Sequence, residues 1–279
     1  MIRCMTGDDL NDALRLTRVA GWNQLENDWQ FFLRESLEGC FVAEEDGCVV
    51  GTTTTIVYET RLAWVAMVLV DPSFRRRGIG TALLNAALQS TASCECVKLD
   101  ATPAGKTVYD GLGFVDELPL VRMTLDKPLP AGQVPGLRPM RETDLSQVMA
   151  LDAACVGAER AALLTHLFET AREYAWVAED DAGTVRGFAL GRHGHTAEYV
   201  GPIVADDEET AWALLATVTR QGADRPWIID VLSEKVAWCE RLREAGFREQ
   251  RPLIRMYKGP ALPPSAPTSL FAIAGPEFG

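Results

Sequence analysis

Three arginines and two glycines, Arg75-Arg76-Arg77-Gly78-Ile79-Gly80, stand between the nearly all-apolar residues 61–70 and an amphipathic stretch at 78–89. The apolar run reads as a strand buried on both faces, the amphipathic one as a helix. A helix's first turn has N–H groups without intrahelical partners, and it sits at the positive end of the dipole. Gly78 and Gly80 let a ligand approach that backbone closely, and the guanidinium groups add charge-assisted hydrogen bonds. Such a loop suits a phosphate or pyrophosphate. It has neither GxxxxGK[ST] nor GxGxxG spacing, so it is not one of the nucleotide loops those patterns mark. The bland alternative is a solvated basic turn.

Other elements must position this loop. Residues 1–5 predict a short strand, and Asp8 or Asp9 can cap a helix carrying Leu10, Leu14 and Leu16. A second helix holds Trp29, Phe32 and Leu33. Strands follow at 40–45 and 49–58, split by the hairpin signal Asp46-Gly47. After the basic loop and its helix come a strand at 97–100, a helix around 106–112 and a final strand pair. The reading is mixed α/β.

The pattern then repeats. Ile2-Arg3-Cys4-Met5 with Asp9-Leu10 returns as Leu137-Arg138-Pro139-Met140 with Asp144-Leu145, and Phe41-Val42-Ala43-Glu44 as Trp176-Val177-Ala178-Glu179. Ala82-Leu83-Leu84 matches Ala213-Leu214-Leu215, and Leu112-Gly113-Phe114 matches Ala245-Gly246-Phe247. Leu120-Val121-Arg122-Met123 matches Leu253-Ile254-Arg255-Met256. Five matches in one order at nearly constant offset read as two copies of one fold. We divide the chain into a first domain at 1–126, a Pro/Gly-rich linker at 127–136, a second domain at 137–258 and a Pro-rich tail at 259–279. Phe271 and Ile273 could dock the tail, but disorder is expected there.

The chain has 279 residues and a formal net charge of −12. That balance argues against non-specific nucleic-acid binding and leans towards cationic or small-molecule partners. No apolar run approaches the about 20 residues of a membrane span, and no signal peptide is visible. Seven cysteines without CxxC suit reduced thiols in a cytoplasm. His193-Gly194-His195 and Cys94-Glu95-Cys96 lack further ligands at metal spacing, so no metal is expected.

The basic loop resembles [RQ]xxGx[GA], the acetyl-CoA pyrophosphate loop of the GCN5-related N-acetyltransferases, and Val108-Tyr109-Asp110-Gly111-Leu112-Gly113-Phe114 resembles that family's segment after the fifth strand. The whole chain resembles bacterial tandem acetyltransferases of the YitH-like group. The resemblance implies two GNAT-like domains, each a central mixed, mostly antiparallel sheet flanked by helices. It implies acetyl-CoA as co-substrate, held by Arg75, Arg76, Arg77, Gly78, Ile79, Gly80 and Thr81. The pantetheine arm would pair with the strand edge at Val68, Leu69 and Val70, one of whose N–H groups would polarise the carbonyl. Tyr109 is then the expected acid: a phenol with a free pKa of about 10 can reprotonate a thiolate whose acid lies near 8.5.

Trp22, Asn23 and Gln24, with Glu26 and Trp29, fall in the helix-loop-helix that walls the family's acceptor site. Plain packing explains the tryptophans equally well. The base is open among Asp100, Glu59, Glu26, Asp28 and a water relay, and Asp28 and Asp100 are taken as substrate-binding. In the second copy, Asp206-Asp207-Glu208-Glu209-Thr210-Ala211 stands opposite the arginine-glycine loop and Leu242 opposite Tyr109, so that copy is expected to be degenerate.

The resulting expectation is a cytoplasmic N-acetyltransferase, monomer or homodimer. It transfers acetyl to a small-molecule primary amine by direct attack in a ternary complex, without nucleic acid or membrane partners. A non-catalytic acyl-CoA sensor and a protein lysine acetyltransferase are the alternatives.

Overall fold

The computed structural model describes residues 1–130, 134–222, 225–262 and 267–279. The middle of the expected linker, 131–133, and residues 263–266 of the expected tail lie outside them. The first half runs β1 (Ile2–Cys4), α1 (Leu10–Val19), α2 (Glu26–Glu35), β2 (Phe41–Glu45), β3 (Cys48–Tyr58), β4 (Leu62–Val70), α3 (Ile79–Ser90), β5 (Cys96–Ala101), α4 (Pro103–Gly111) and β6 (Val115–Leu125). The second repeats the order: β7 (Leu137–Pro139), α5 (Leu145–Val156), α6 (Ala161–Thr170), β8 (Trp176–Glu179), β9 (Val185–Arg192), β10 (Glu198–Ala205), α7 (Glu208–Thr219), β11 (Trp227–Leu232), α8 (Val236–Glu244) and β12 (Arg248–Lys258). A last strand, β13 (Leu270–Ala272), has no counterpart in the first half.

Local chemistry explains the matching starts. Arg3 grips both carboxylate oxygens of Asp9 at 2.8 Å, and Asp9 accepts the Thr6 N–H at 2.8 Å, closing the turn that launches α1. Arg138 and Asp144 do the same before α5, where Asp144 accepts the Arg141 N–H at 2.7 Å. Asp46 and Gly47 both adopt positive φ, as a tight hairpin between β2 and β3 requires.

The two sheets are one. Its strand order is β1-β2-β3-β4-β5-β12-β6-β11-β10-β9-β8-β7, with β13 beside β10. Each half's last strand has crossed over: β12 pairs with β5, and β6 with β11. The two meet antiparallel with Leu120 opposite Leu253, so the repeated Leu-x-Arg-Met motifs touch at their leucines and run apart from there, Arg122 facing Arg251 and Arg255 facing Leu118. The expected final strand pair of the first copy is therefore a single strand, β6, whose partners both come from the second half. Residues 115–125 can satisfy their backbone groups only by borrowing.

The tail is the second correction. From Leu270 onward it is buried: Phe271 is 6% exposed, Ile273 1% and Phe278 0%. Phe278 stacks on Phe32 at 5.3 Å and meets Phe31 edge-on at 5.7 Å, and Phe31 stacks on His166 of α6 at 4.7 Å. Apolar burial of that size, about 1.5–3 kcal/mol per large side chain, outweighs the ordering entropy that argued for disorder.

Burial, reinforced by the Arg34 and Arg192 guanidiniums, holds the His166 imidazole down at about 4. A histidine whose folded pKa lies below its unfolded value stabilises fully above about pH 6.5 and loses that stability as pH falls towards 4. At most about 3 kcal/mol is involved. Urea unfolding between pH 6.5 and 4 should therefore show wild type losing stability relative to His166→Phe. A constant difference across that window would refute the assignment.

Candidate active site

β4 and β5 run parallel but pair only from Leu62–Cys96 to Trp64–Lys98. Beyond Trp64 the strands part, and one edge of β4 is free. The register against β3 also jumps: Thr52 faces Leu69 but Thr54 faces Ala66, and Met67 takes a φ of 51°. This is a bulge, which re-aims the backbone towards the opening. Threonine hydroxyls hold it in place, Thr52 donating to the Met67 carbonyl at 2.8 Å and Thr53 to that of Ala66 at 3.3 Å.

Two cavities meet in this opening. The outer groove, about 530 Å³, runs along Val68, Leu69 and Val70 to Arg75, Arg76, Gly78, Ile79, Gly80 and Thr81. The inner chamber, about 110 Å³, lies between Val65, Ala66, Met67 and Val68 on β4 and Leu99 and Asp100 on β5. Trp22, Val68, Thr102, Gly105 and Tyr109 line both. Tyr109 thus stands at the junction, and Gly105 makes room for it: a Cβ there would sit 3.0 Å from the ring. Desolvation pushes its phenol up to about 12, so the hydroxyl keeps its proton across the neutral range.

At the outer end Gly78 caps α3 with a φ of 78° and no side-chain acceptor. The first-turn N–H groups of α3 are not taken by a cap, and Arg76 is exposed beside them. Arg77 is a correction. It donates to Glu45 at 3.1 Å and covers the Phe74 ring, and it is not among the residues lining the groove.

The expected acceptor residues divide. Trp22 and Gln24 line the chamber. Asn23 does not: its amide donates to the Ala197 carbonyl at 2.9 Å and accepts the Thr196 and Ala197 N–H groups. It clamps the two halves together. Asp28 is likewise withdrawn, accepting the Leu25 N–H at 2.6 Å to start α2 and facing Arg192 at 3.4 Å. Burial lifts its carboxyl to about 6.

Asp100 lines the chamber, but Arg255 holds both its oxygens at 2.9 Å. It is therefore a committed partner, not a free base. Glu26 is exposed and bonded to Gln30, Glu59 sits in the turn after β3, and Trp29 is core, donating to Thr17 at 3.2 Å.

Several chamber residues were not foreseen. Arg122 of β6, Arg251 and Leu253 of β12, and Pro276 and Glu277 of the tail complete its walls. Only strand exchange and the returning tail bring them there. The Arg122–Arg255 repeat was visible in the sequence, but nothing in the sequence around Glu277 marks it.

In the second half the corresponding gap between strands is occupied. β10 and β11 pair only at Glu198–Trp227 and Tyr199–Ile228, then part in the same way. There β13 fills the gap, pairing with β10 at Ile203–Ala272 and Val204–Leu270 while the Ile273 N–H bonds the Asp230 carbonyl at 3.0 Å. The start of α7 is closed too, because Asp207 accepts the Thr210 N–H at 2.7 Å and Arg241 binds Glu208 and Glu209. Leu242 is fully buried. Among the described residues no cluster of three metal-ligating side chains is found, and no helix is long and apolar enough to cross a membrane.

Comparison with known proteins agrees with this architecture. The Acetyltransferase (GNAT) family profile matches residues 8–114, and the Acetyltransferase (GNAT) domain profile matches 148–272. The chain is 26% identical to the uncharacterized N-acetyltransferase YitH of Bacillus subtilis over 262 residues, covering 90% of this chain and 89% of that one. It is 23% identical to a holothin acyltransferase of Pseudoalteromonas over 261 residues, covering 92% and 87%. A crystal structure of a putative acetyltransferase from Pyrococcus horikoshii has the same fold, with a TM-score of 0.84 at 22% identity over 100% of this chain and 95% of that one. The chain belongs to the GNAT superfamily of acetyltransferases, as an acyltransferase with two GNAT domains in tandem.

Proposed function

We propose that the first half binds acetyl-CoA and passes its acetyl group to the primary amine of a small molecule by direct attack in a ternary complex. One observation carries this reading. The parted strands β4 and β5 leave an open path from the basic loop to Tyr109 and the chamber, whereas the matching path in the second half is filled by β13. The α3 start and Arg75 and Arg76 would take the pyrophosphate. The free edge of β4 would pair with the pantetheine arm as with an added strand.

An N–H near Val68 would polarise the thioester carbonyl for the neutral amine in the chamber. As the new C–N bond forms and the C–S bond breaks, Tyr109 gives its O–H proton to the leaving sulfur. The nitrogen sheds one proton to water or a chamber carboxylate, and Tyr109 is reprotonated from solvent. Desolvation that weakens the phenol as an acid also raises the thiol's pKa, so the transfer is not made prohibitively uphill. The small chamber favours a small acceptor over a lysine on a protein surface. Seven cysteines with no CxxC among them suit a reducing cytoplasm.

Calorimetric titration with acetyl-CoA should give one site per chain. Two sites would overturn the assignment of the second half as closed, and no binding by the folded chain would overturn the reading itself.

A further inference from the structure

Four charged side chains line the chamber: Asp100, Arg122, Arg251 and Glu277. Two are closed accounts. Arg122 is gripped by Asp230 at 2.9 and 2.7 Å, and Asp100 by Arg255 at 2.9 Å twice. These are the same ion pair repeated, since Arg122 and Arg255 occupy equivalent places in the two copies. A pair present in both halves, only one of which has an open path, is part of the framework.

The other two break the symmetry. Glu277 belongs to the tail, which the first copy lacks. It is 3% exposed; its Oε1 accepts Gln24 Nε2 at 2.7 Å and the Arg192 guanidinium, while its Oε2 is buried without a partner. Arg192 also faces Asp28 at 3.4 Å, so one guanidinium serves two carboxylates. That end of the chamber carries one negative charge too many.

Arg251 is the reverse. Its equivalent in the first copy is Leu118. A register shift between Glu249 and Arg251 brings Arg251 directly opposite Arg122, a like-charge pairing that a sheet disfavours. Its Nε is buried without a hydrogen bond, and among the described residues no carboxylate forms an ion pair with it. The residue is half-buried, and a guanidinium with a buried, unbonded Nε and no ion pair costs free energy to keep. The chamber therefore has a negative pole at Glu277 and a positive pole at Arg251, which attract each other across it without meeting in an ion pair.

We propose that the acceptor is zwitterionic: an amino acid or a close analogue whose ammonium group is received at Glu277 Oε2 and whose carboxylate is received by Arg251. This rests on the acetyltransferase reading and narrows it. Arriving as a zwitterion, the acceptor completes both poles at once and places its nitrogen in the chamber next to the bulge of β4. It must lose one proton before attack, and the Glu277 carboxylate, whose Oε2 has no other hydrogen bond, would take it.

The test uses the full chain with acetyl-CoA and matched acceptors: the common amino acids, β-alanine and 4-aminobutyrate, each against its decarboxylated amine or its amide. Thiol release should favour a carboxylated acceptor over its twin by about 10- to 100-fold in kcat/KM, the range for one charge-assisted contact. Arg251→Leu should collapse that ratio, chiefly through KM, and Arg251→Lys should restore part of it. Glu277→Gln should lower turnover of the same acceptor.

Without acceptor, Arg251→Leu should melt no lower than wild type, because it removes an unpaired charge. A lower melting temperature would mean that the guanidinium is structural, and the proposal would fall. Equal or greater activity with the decarboxylated twins would overturn it as well. So would no turnover of any carboxylated amine by a chain that binds acetyl-CoA, that binding separating this failure from failure of the enzyme reading.

Discussion

Tyr109→Phe is expected to lower kcat by about 10²- to 10⁴-fold, the usual worth of a positioned general acid, with little change in acetyl-CoA affinity. Tyr109 lines both groove and chamber, where the leaving sulfur would appear, while its ring packs on Gly105 and meets Phe114 edge-on at 6.1 Å. Phenylalanine keeps that packing, so the variant should fold and bind. The pH profile adds a sign. Because desolvation holds the phenol at about 12, its deprotonation should not produce a falling alkaline limb below about pH 11. Thiol-release kinetics and calorimetry together decide the point. Unchanged kcat would remove Tyr109 from the chemistry and favour a non-catalytic acyl-CoA sensor.

The second large effect is expected at the loop. Arg76→Glu/Gly78→Asp should weaken acetyl-CoA binding by about 100-fold or more, since it removes a charge-assisted contact and places two carboxylates beside the expected pyrophosphate. Gly78 has a φ of 78°, where any side chain is strained, but nothing lies within 4 Å of a Cβ built there. Stability should therefore fall by only about 1 kcal/mol. The second half already carries this change: Asp207, Glu208 and Glu209 surround the start of α7. Calorimetry on the folded variant is the measurement, and wild-type affinity would place the cofactor elsewhere.

Much of this was legible in the sequence, for physical reasons. The arginine-glycine loop, the Asp46-Gly47 turn, the apolar residues of β4 and the aspartates that start α1 and α5 each act through neighbours a few residues away. Short-range periodicity and capping report such features directly. The repeat was legible because equivalent elements demand equivalent residues at equivalent spacing. The acidic residues at the start of α7 could be read as well, since the charge at a helix start is a local fact.

What the sequence left open was decided by partners distant along the chain. Strand exchange turned the expected hairpin into β6 and brought Arg122 and Arg251 into register. The tail, read as disordered from its prolines, is held by Phe271, Ile273 and Phe278 inserting into cores built by both halves. Asp28, Asp100, Asn23 and Arg77 had the right chemistry for the site, yet each is taken by a partner: Arg192, Arg255, the loop at 196–197 and Glu45. Local pattern determined which elements form and where the arginine-glycine loop opens into α3. Tertiary structure alone decided which charges are spent on one another and which are left facing the chamber, because that depends on pairing across the sheet and a returning tail, neither of which has a signature in local sequence.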